Sequence, residues 1–143
     1  MERTGVTVGN DETATGRQIV VSLPAHQIRV SIDGTTVRTI TNFSTGRQGH
    51  LTPLVQNGEI DPHRRFREHR SSIYKDAAGH FAEMPFALFF QDSCAFHCGN
   101  PSVESHGCIH LARPDAEWLF NWVGNNQVHV RIEGPRPASA KSA

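Results

Sequence analysis

The segment Phe96–Leu111, FHCGNPSVESHGCIHL, concentrates side chains that can do chemistry, with three histidines and two cysteines in sixteen residues. Such a cluster can hold a metal ion, close a disulfide, or make one sulfur a nucleophile. Each possibility makes a different demand on spacing.

A metal site is the first possibility, because zinc prefers sulfur and imidazole ligands. The spacings here are C-x3-C and H-x-C-x-H rather than the CxxC pairs of strong zinc signatures, and no second compact pair lies downstream. Zinc therefore remains an alternative. The candidate ligands are Cys94, His97, Cys98, His106, Cys108 and His110.

The second possibility is that these are ordinary buried or paired side chains, since a free cysteine often behaves as a small apolar residue. Three cysteines allow at most one disulfide. This interpretation suits the scattered histidines, which we expect to have no catalytic role. They are His26, His50, His63, His80 and His129.

The third possibility is a cysteine nucleophile in Ser105-His106-Gly107-Cys108. Gly107 directly before Cys108 lets the backbone approach a substrate and lets two successive N–H groups point at one oxyanion. His97 lies eleven residues upstream, at the end of a predicted strand, where an intervening loop could return it to the sulfur. His106 would share a face with Cys108 on an extended chain. An imidazole is the usual group that activates a thiol.

The bulk composition fits one globular domain with no electrostatic preference for polyanions. Of 143 residues, 14 are basic and 14 acidic, so we expect no nucleic-acid partner. No apolar run is long enough for a membrane span, so none is expected. The N-terminus lacks the apolar segment of a signal peptide, which leaves the export route open.

Three regions are predicted along the chain. Residues 1–16 are polar and aperiodic, which favours a flexible arm, and 134–143 hold two prolines and small residues typical of a disordered tail. Residues 17–133 would form the catalytic domain. Between residues 44 and 82, frequent glycine and proline predict long loops with short strands, and long ordered loops tend to be functional.

Strands supply most of the predicted elements. Residues 27–32, QIRVSI, alternate apolar and polar side chains, and Asp33-Gly34 predicts a tight turn into TVRTITNF. Further strands are predicted in IVVSL, MPFALFF, SCAFH and QVHVRI. One helix is expected in RPDAEWLFNWVG, with Pro114 in its first turn and Gly124 at its end. Its apolar face would contain Trp118, Leu119, Trp122 and Val123.

The motif and its flanks resemble the L,D-transpeptidase catalytic domain, the YkuD-type family. SHGCIHL preceded by a strand ending in histidine matches that family's active-site motif. The flanking segments STGRQGHLTP, REHRSSIY, AEMPFALFF and RPDAEWLF follow in the family's order and spacing. The resemblance implies a mainly β, sandwich or barrel-like fold with one or two short helices.

The resemblance also implies roles for named residues. Cys108 would be the nucleophile, His97 the base oriented by the backbone carbonyl of Cys98, and the N–H groups of Gly107 and Cys108 the oxyanion hole. Ser105 and His106 would shape and polarise the site. We expect substrate-binding residues in the segment similar to a cleft-lining stretch and at the position after Ile109. They are Arg67, His69, Arg70, Tyr74 and His110.

Three positions depart from the family pattern. Cys98 stands where a small residue is usual and could form a disulfide with Cys94 or Cys108. His110 replaces the usual Arg or Asn, which could weaken the grip on a carboxylate. The segment HLTPLVQNGEI replaces the more usual TPTG run, so one wall of the cleft could differ.

The implied function is a cysteine acyltransferase of the cell envelope or periplasm, without a cofactor or metal, that acts on peptidoglycan stem tetrapeptides. It would form 3→3 cross-links or exchange the terminal D-amino acid, and carbapenem-type inhibitors would be possible ligands. Two alternatives stay open. One is an L,D-carboxypeptidase or exported wall-targeting toxin on the same fold, and the other is a non-catalytic wall-binding or zinc-binding domain.

Overall fold

The structure is a computed structural model that describes residues 15–75 and 78–135, with the side chains of Ile73 and Tyr74 outside the described part. The predicted arm and tail lie almost wholly outside these ranges. In chain order the elements are β1 (Arg17–Ser22), β2 (Gln27–Ile32), β3 (Thr35–Ile40), β4 (Phe43–Ser44), β5 (Val55–Glu59), β6 (Arg65–Phe66), β7 (Arg70–Lys75), β8 (Phe81–Glu83), β9 (Ala87–Gln91), β10 (Cys94–Cys98), β11 (Ile109–Leu111), α1 (Arg113–Val123) and β12 (Val128–Glu133).

Two five-stranded sheets carry the fold, which confirms the mainly β prediction. The first sheet has the order β3-β2-β1-β12-β5 and the second β4-β11-β10-β9-β6, while β7 and β8 form a separate two-stranded hairpin. The described residues contain no helix long and apolar enough to span a bilayer.

The β2–β3 hairpin forms where the sequence predicts it. Asp33 and Gly34 have φ values of 50° and 85°, the left-handed conformations that a tight two-residue turn requires. Alternation puts Ile28 and Val30 into the core, where both are fully buried. The local pattern therefore sets both the turn and the buried face.

Strand β12 joins distant parts of the chain, since it runs parallel to β1 and antiparallel to β5. Val128, Val130 and Ile132 are at most 1% exposed, so every second residue of this strand enters the core. The first sheet is thus completed by the last strand of the chain.

The second sheet sets the geometry of the cluster. Strands β10 and β11 are parallel, with Phe96 opposite Ile109 and His97 opposite His110. Phe96 and Ile109 are fully buried in the main core. Because successive side chains alternate between faces, His97, His110 and Cys108 share the other face.

Helix α1 begins and ends as predicted, with Pro114 in its first turn and Gly124 at φ 50° donating its N–H to the carbonyl of Phe120 (3.0 Å). Leu119 and Val123 are fully buried. Trp118 and Trp122, predicted on the same face, are only half buried and border the core. Each stacks with an arginine guanidinium, and the pairs are Trp118 with Arg38 and Trp122 with Arg17.

Candidate active site

The loop between β4 and β5 wraps around the Ser-His-Gly-Cys turn. The N–H of Arg47 donates to the carbonyl of Ser105 (2.9 Å), and the N–H of Ser105 donates to the carbonyl of Thr45 (3.0 Å). Gly46 is required at this crossing, since a Cβ there would collide with the carbonyl of His50 and lie 2.9 Å from the Cα of Gly107. This loop belongs to the segment predicted to be functional, and it packs behind the motif.

Thr52 ties the loop to the motif from a buried position, with its side chain 1% exposed. Its hydroxyl accepts the N–H of Gly46 (2.9 Å) and donates to the carbonyl of Gly107 (2.7 Å). One hydroxyl thus fixes both glycines that let the two backbone segments meet.

Gly107 has φ +125°, a conformation that L side chains rarely adopt, so glycine is needed before Cys108. Ser105 braces this turn from inside. Its hydroxyl donates to the carbonyl of Cys108 (2.5 Å) and accepts the N–H of Gly107 (3.0 Å). The N–H of Gly107, expected in the oxyanion hole, is therefore engaged in the resting structure.

Cys108 is half buried and packs against the small cluster of Met84, Ala87, Phe89 and Ala95. Burial raises the pKa of its thiol to about 11, with Cys94 adding to the increase and the N–H of Ala95 opposing it. Its Sγ donates to the carbonyl of Ser93 (3.5 Å). With this pKa the sulfur is a neutral thiol at neutral pH, so a base must remove its proton before it can act as a nucleophile.

His97 is 6% exposed and its Nδ1 lies 2.8 Å from the carbonyl oxygen of Cys98, the contact that the resemblance implied. A carbonyl only accepts, so Nδ1 carries the proton and Nε2 is the basic nitrogen. Burial lowers the pKa of His97 to about 4 despite this hydrogen bond, and His110 and His69 lower it further. The ring is therefore a neutral base of fixed tautomer.

His110 and His106 are the other two histidines near the pair. The rings of His110 and His97 meet edge to face with centroids 4.9 Å apart, and Nδ1 of His110 contacts the carbonyls of Asn100 and Val103 (3.2 and 3.1 Å). His106 contacts Arg47 (2.5 Å) through Nε2, and its pKa is lowered by burial and then by that arginine.

One cavity of about 380 Å³ joins these groups, lined by Ser105, His106, Cys108, His97 and His110. The β7–β8 hairpin and the residues beside it form the facing wall. They contribute His69, Ser71, Ser72, Ala82, Glu83 and Met84. A peptide that enters the cavity would therefore lie between the hairpin and the second sheet.

Three solved proteins share this architecture. The L,D-transpeptidase (Yku) of Stackebrandtia nassauensis matches with TM-score 0.73 and 23% identity over 89% of this chain and 60% of that one. A Mycobacterium smegmatis L,D-transpeptidase gives 0.68 and 20% over 82% and 58%. Mycobacterium tuberculosis L,D-transpeptidase 1 gives 0.64 and 25% over 83% and 62%. This chain thus spans about 60% of the length of these proteins. For the first two, whose identities are below 25%, the similarity shows the fold alone. No curated protein sequence matches the chain.

The profile of the L,D-transpeptidase catalytic domain, YkuD, matches residues 16–132. The chain belongs to this family. The recognition made from the motif and its flanks is confirmed, and the match covers nearly all the residues predicted to fold as the YkuD domain. The roles given to individual residues remain predictions.

Not all the predicted substrate-binding residues line the cavity that contains Cys108 and His97. His69 does, but Arg67 and Arg70 line a neighbouring cleft with Phe86 and Arg113. Arg67 stacks over Phe86 and Phe120, and Arg70 pairs with Glu83 (3.0 Å). Arg67 and His69 lie in the connection between β6 and β7, whose course the sequence segment alone did not resolve. The side chain of Tyr74 lies outside the described part.

Sequence reasoning missed several residues of the cavity wall, and Arg64 and Ser93 are two of them. Arg64 lines the cavity from the segment before β6, and the carbonyl of Ser93, in the β9–β10 turn, accepts the thiol's hydrogen bond. Arg64 belongs to the Arg-rich run RRFREHR, so its composition was a signal, but no local pattern indicated which arginine lines the cavity.

The three cysteines are all free thiols in this structure. The neighbour of the motif turn is Cys94, whose Sγ lies 3.8 Å from where a Cβ on Gly107 would stand. Burial raises the pKa of Cys94, with Asp92 adding to the increase. Among the described residues, no three His, Cys, Asp or Glu side chains are grouped to hold a metal ion.

Proposed function

We propose that this YkuD domain is a cysteine acyltransferase of the cell envelope that acts on peptidoglycan stem tetrapeptides through an acyl-enzyme on Cys108. One observation carries the proposal. A thiol and a histidine of fixed tautomer line the same cavity, the arrangement that a cysteine nucleophile and its base require.

The first half-reaction starts from the neutral pair. When the carbonyl of the third stem residue reaches Sγ, Nε2 of His97 takes the thiol proton as the S–C bond forms. Sγ must first leave the carbonyl of Ser93, which requires a rotation about its Cα–Cβ bond. The proton held by His97 then goes to the departing amine of the terminal D-amino acid, and a thioester remains on Cys108.

The tetrahedral oxygen would be stabilised by the N–H groups of Gly107 and Cys108. Gly107 donates to the Ser105 hydroxyl at rest, so this donor must turn toward the oxyanion as it forms. Ser105 keeps its bond to the carbonyl of Cys108 and would hold the turn during that exchange.

The second half-reaction regenerates the free thiol of Cys108. An amine from another stem, a free D-amino acid or water attacks the thioester, His97 accepts the attacking group's proton, and Sγ leaves and recovers that proton. An amine from a second stem gives a 3→3 cross-link, a D-amino acid gives exchange, and water gives the L,D-carboxypeptidase reaction.

Solved relatives support sensitivity to β-lactams. L,D-transpeptidase 1 was solved in complex with imipenem, and Mycobacterium tuberculosis L,D-transpeptidase 3 carries a faropenem-derived adduct. We extend this to the present chain as part of the proposal, with Cys108 as the acylated sulfur.

Purified disaccharide tetrapeptides test the proposal by product mass. Cross-linked dimers, with one D-alanine released for each, are the expected result, and the Cys108→Ala variant should form none. Tripeptide alone would identify a hydrolase instead. Bound but unchanged tetrapeptide would contradict catalysis and favour the non-catalytic wall-binding alternative.

A further inference from the structure

Arg64 has a distinctive position on the wall of the active-site cavity. It is half buried, and its guanidinium carbon lies 4.1 Å from the centroid of the Phe89 ring. The ring of His69 meets the same Phe89 edge to face, with centroids 5.3 Å apart. The guanidinium therefore packs over a ring that lines the cavity.

The charge of Arg64 has no partner within the described residues. Besides Arg64 and the histidines, the cavity wall carries one ionisable side chain with a formal charge, Glu83, and Glu83 is paired with Arg70. None of the ion pairs in the described part involves Arg64. Arg64 also borders a second cavity, which is lined by the acidic residues Glu59, Asp61 and Asp92.

Two imidazoles of the cavity wall, those of His69 and His97, do not add positive charge. Burial lowers the pKa of His69, with Arg64 adding to the decrease, and the pKa of His97 is also low. Both rings are therefore mainly neutral at pH 7. A ligand in this cavity meets one permanent, unpaired cation, and a guanidinium binds carboxylates with forked hydrogen bonds.

The register of the second sheet gives the backbone spacing between Cys108 and Phe89, the residue over whose ring the guanidinium lies. Phe89 lies opposite Ala95 on one side of β10, and Cys108 directly precedes Ile109, which lies opposite Phe96 on the other side. Two strand spacings, about 10 Å, therefore separate the backbones of Phe89 and Cys108. A carboxylate held by Arg64 would then lie about two extended residues from a carbonyl at Sγ, with the two side chains taking up the rest of the spacing.

We propose that Arg64 binds the side-chain carboxylate of a diaminopimelate at the third position of the donor stem. This inference rests on the proposed function and adds a preference among donors. The arm from the attacked carbonyl to that carboxylate contains six bonds, the length of two extended residues, or about 7 Å. The carboxylate of the leaving D-alanine is too near the scissile bond for this span.

Three synthetic tetrapeptide donors test the proposal, with kcat/KM for D-alanine release as the readout. They carry free diaminopimelate, diaminopimelate amidated on the side-chain carboxylate, and lysine at the third position. Wild type should prefer the free acid by roughly 10- to 100-fold, as expected for a charge-assisted hydrogen-bonded pair. Arg64→Met should lower the free-acid value to that of the amide and abolish the preference.

Two variants serve as controls. Arg64→Lys keeps the charge but not the fork, so it should retain a reduced preference. Arg29→Met removes an arginine from the first sheet, whose guanidinium contacts Gln27 (3.3 Å), and should behave as wild type.

The outcomes separate this inference from the proposed function. Equal wild-type rates on all three donors, or an equal loss on all three in Arg64→Met, would overturn the role of Arg64 while acyl transfer stands. A fourth donor, amidated on its D-glutamate carboxylate, serves as a further comparison. If wild type loses kcat/KM on this donor rather than on the one amidated at diaminopimelate, the role of Arg64 is also overturned. No D-alanine release by wild type from any donor would instead contradict the proposed function.

Discussion

At the residue scale, the pair of Cys108 and His97 is neutral at rest. Burial disfavours both the thiolate and the imidazolium, so the pKa of one rises to about 11 and that of the other falls to about 4. Under the proposed function, the sulfur becomes nucleophilic only when His97 removes its proton during attack. This arrangement protects the thiol from reagents that require a pre-formed thiolate.

Alkylation of Cys108 by iodoacetamide measures this protonation state. At pH 7 only about one thiol in ten thousand is ionised for a pKa near 11. The peptide-level rate should therefore rise about tenfold for each pH unit between 7 and 10. A rate that is already level between pH 6 and 8 would contradict the neutral pair.

The variant His97→Asn is the control for that experiment. If the resting thiol is neutral because it is buried, removing the imidazole should leave the alkylation profile within about threefold of wild type while acyl transfer is lost. A profile displaced to higher pH in the variant would mean that His97 stabilises a thiolate in the resting protein.

At the scale of elements, the loop between β4 and β5 holds the motif in shape. Thr52 bonds to both Gly46 and Gly107, and the backbone of Ser105 is paired with Thr45 and Arg47. The Ser-His-Gly-Cys turn is thus fixed by a segment more than fifty residues earlier in the chain.

We expect Thr52→Val to keep the shape of this side chain and remove both hydrogen bonds. The buried N–H of Gly46 and carbonyl of Gly107 would be left unsatisfied, which costs about 1–3 kcal/mol for each group. Acylation should slow roughly tenfold or more because the turn loses its position. Urea unfolding and acylation kinetics measure the two effects.

Thr36→Val on the edge strand β3 is the matched control, since Thr36 is exposed. Its free energy of unfolding and its acylation rate should both match wild type. A Thr52→Val protein as stable and active as this control would remove the assigned role of Thr52.

Local signals explain which elements the sequence predicted. The Asp33-Gly34 turn, the alternation in β2 and the Pro114 and Gly124 boundaries of α1 are all properties of a few neighbouring residues. The resemblance implied roles for Cys108 and His97, which stay predictions, and it implied the hydrogen bond from His97 to the carbonyl of Cys98, which the structure contains. The contacts of Thr52, Ser93 and Arg64 depend on segments far apart in sequence, so no local pattern could reveal them.

At the scale of the whole molecule, the two sheets have different roles. The second sheet and the β7–β8 hairpin build the cavity, whereas β12 completes the first sheet behind the shared core. The parallel pairings of β12 with β1 and of β10 with β11 were not predictable. The sequence pattern of a strand indicates which face is buried but not which strand it pairs with.

This division predicts that stability and chemistry can be changed separately. Val130 is 1% exposed at the centre of the first sheet, so Val130→Ala should lower the free energy of unfolding by about 2–3 kcal/mol. The acylation rate at 25 °C should stay within about twofold of wild type. Val37→Ala, at a position 45% exposed, should change stability by no more than about 0.5 kcal/mol.

An acylation rate in Val130→Ala that falls as far as in Thr52→Val would show that the first sheet positions the site directly. Circular dichroism at the assay temperature establishes that the variant is folded when the rate is measured.

The central claim is that Cys108 is the acylated nucleophile, and intact-protein mass after incubation with a carbapenem tests it most directly. We predict that wild type gains the mass of one ring-opened carbapenem, that the Cys94→Ala and Cys98→Ala variants do the same, and that Cys108→Ala gains none. An adduct that persists in Cys108→Ala, or one that disappears only when Cys94 or Cys98 is replaced, would contradict the account.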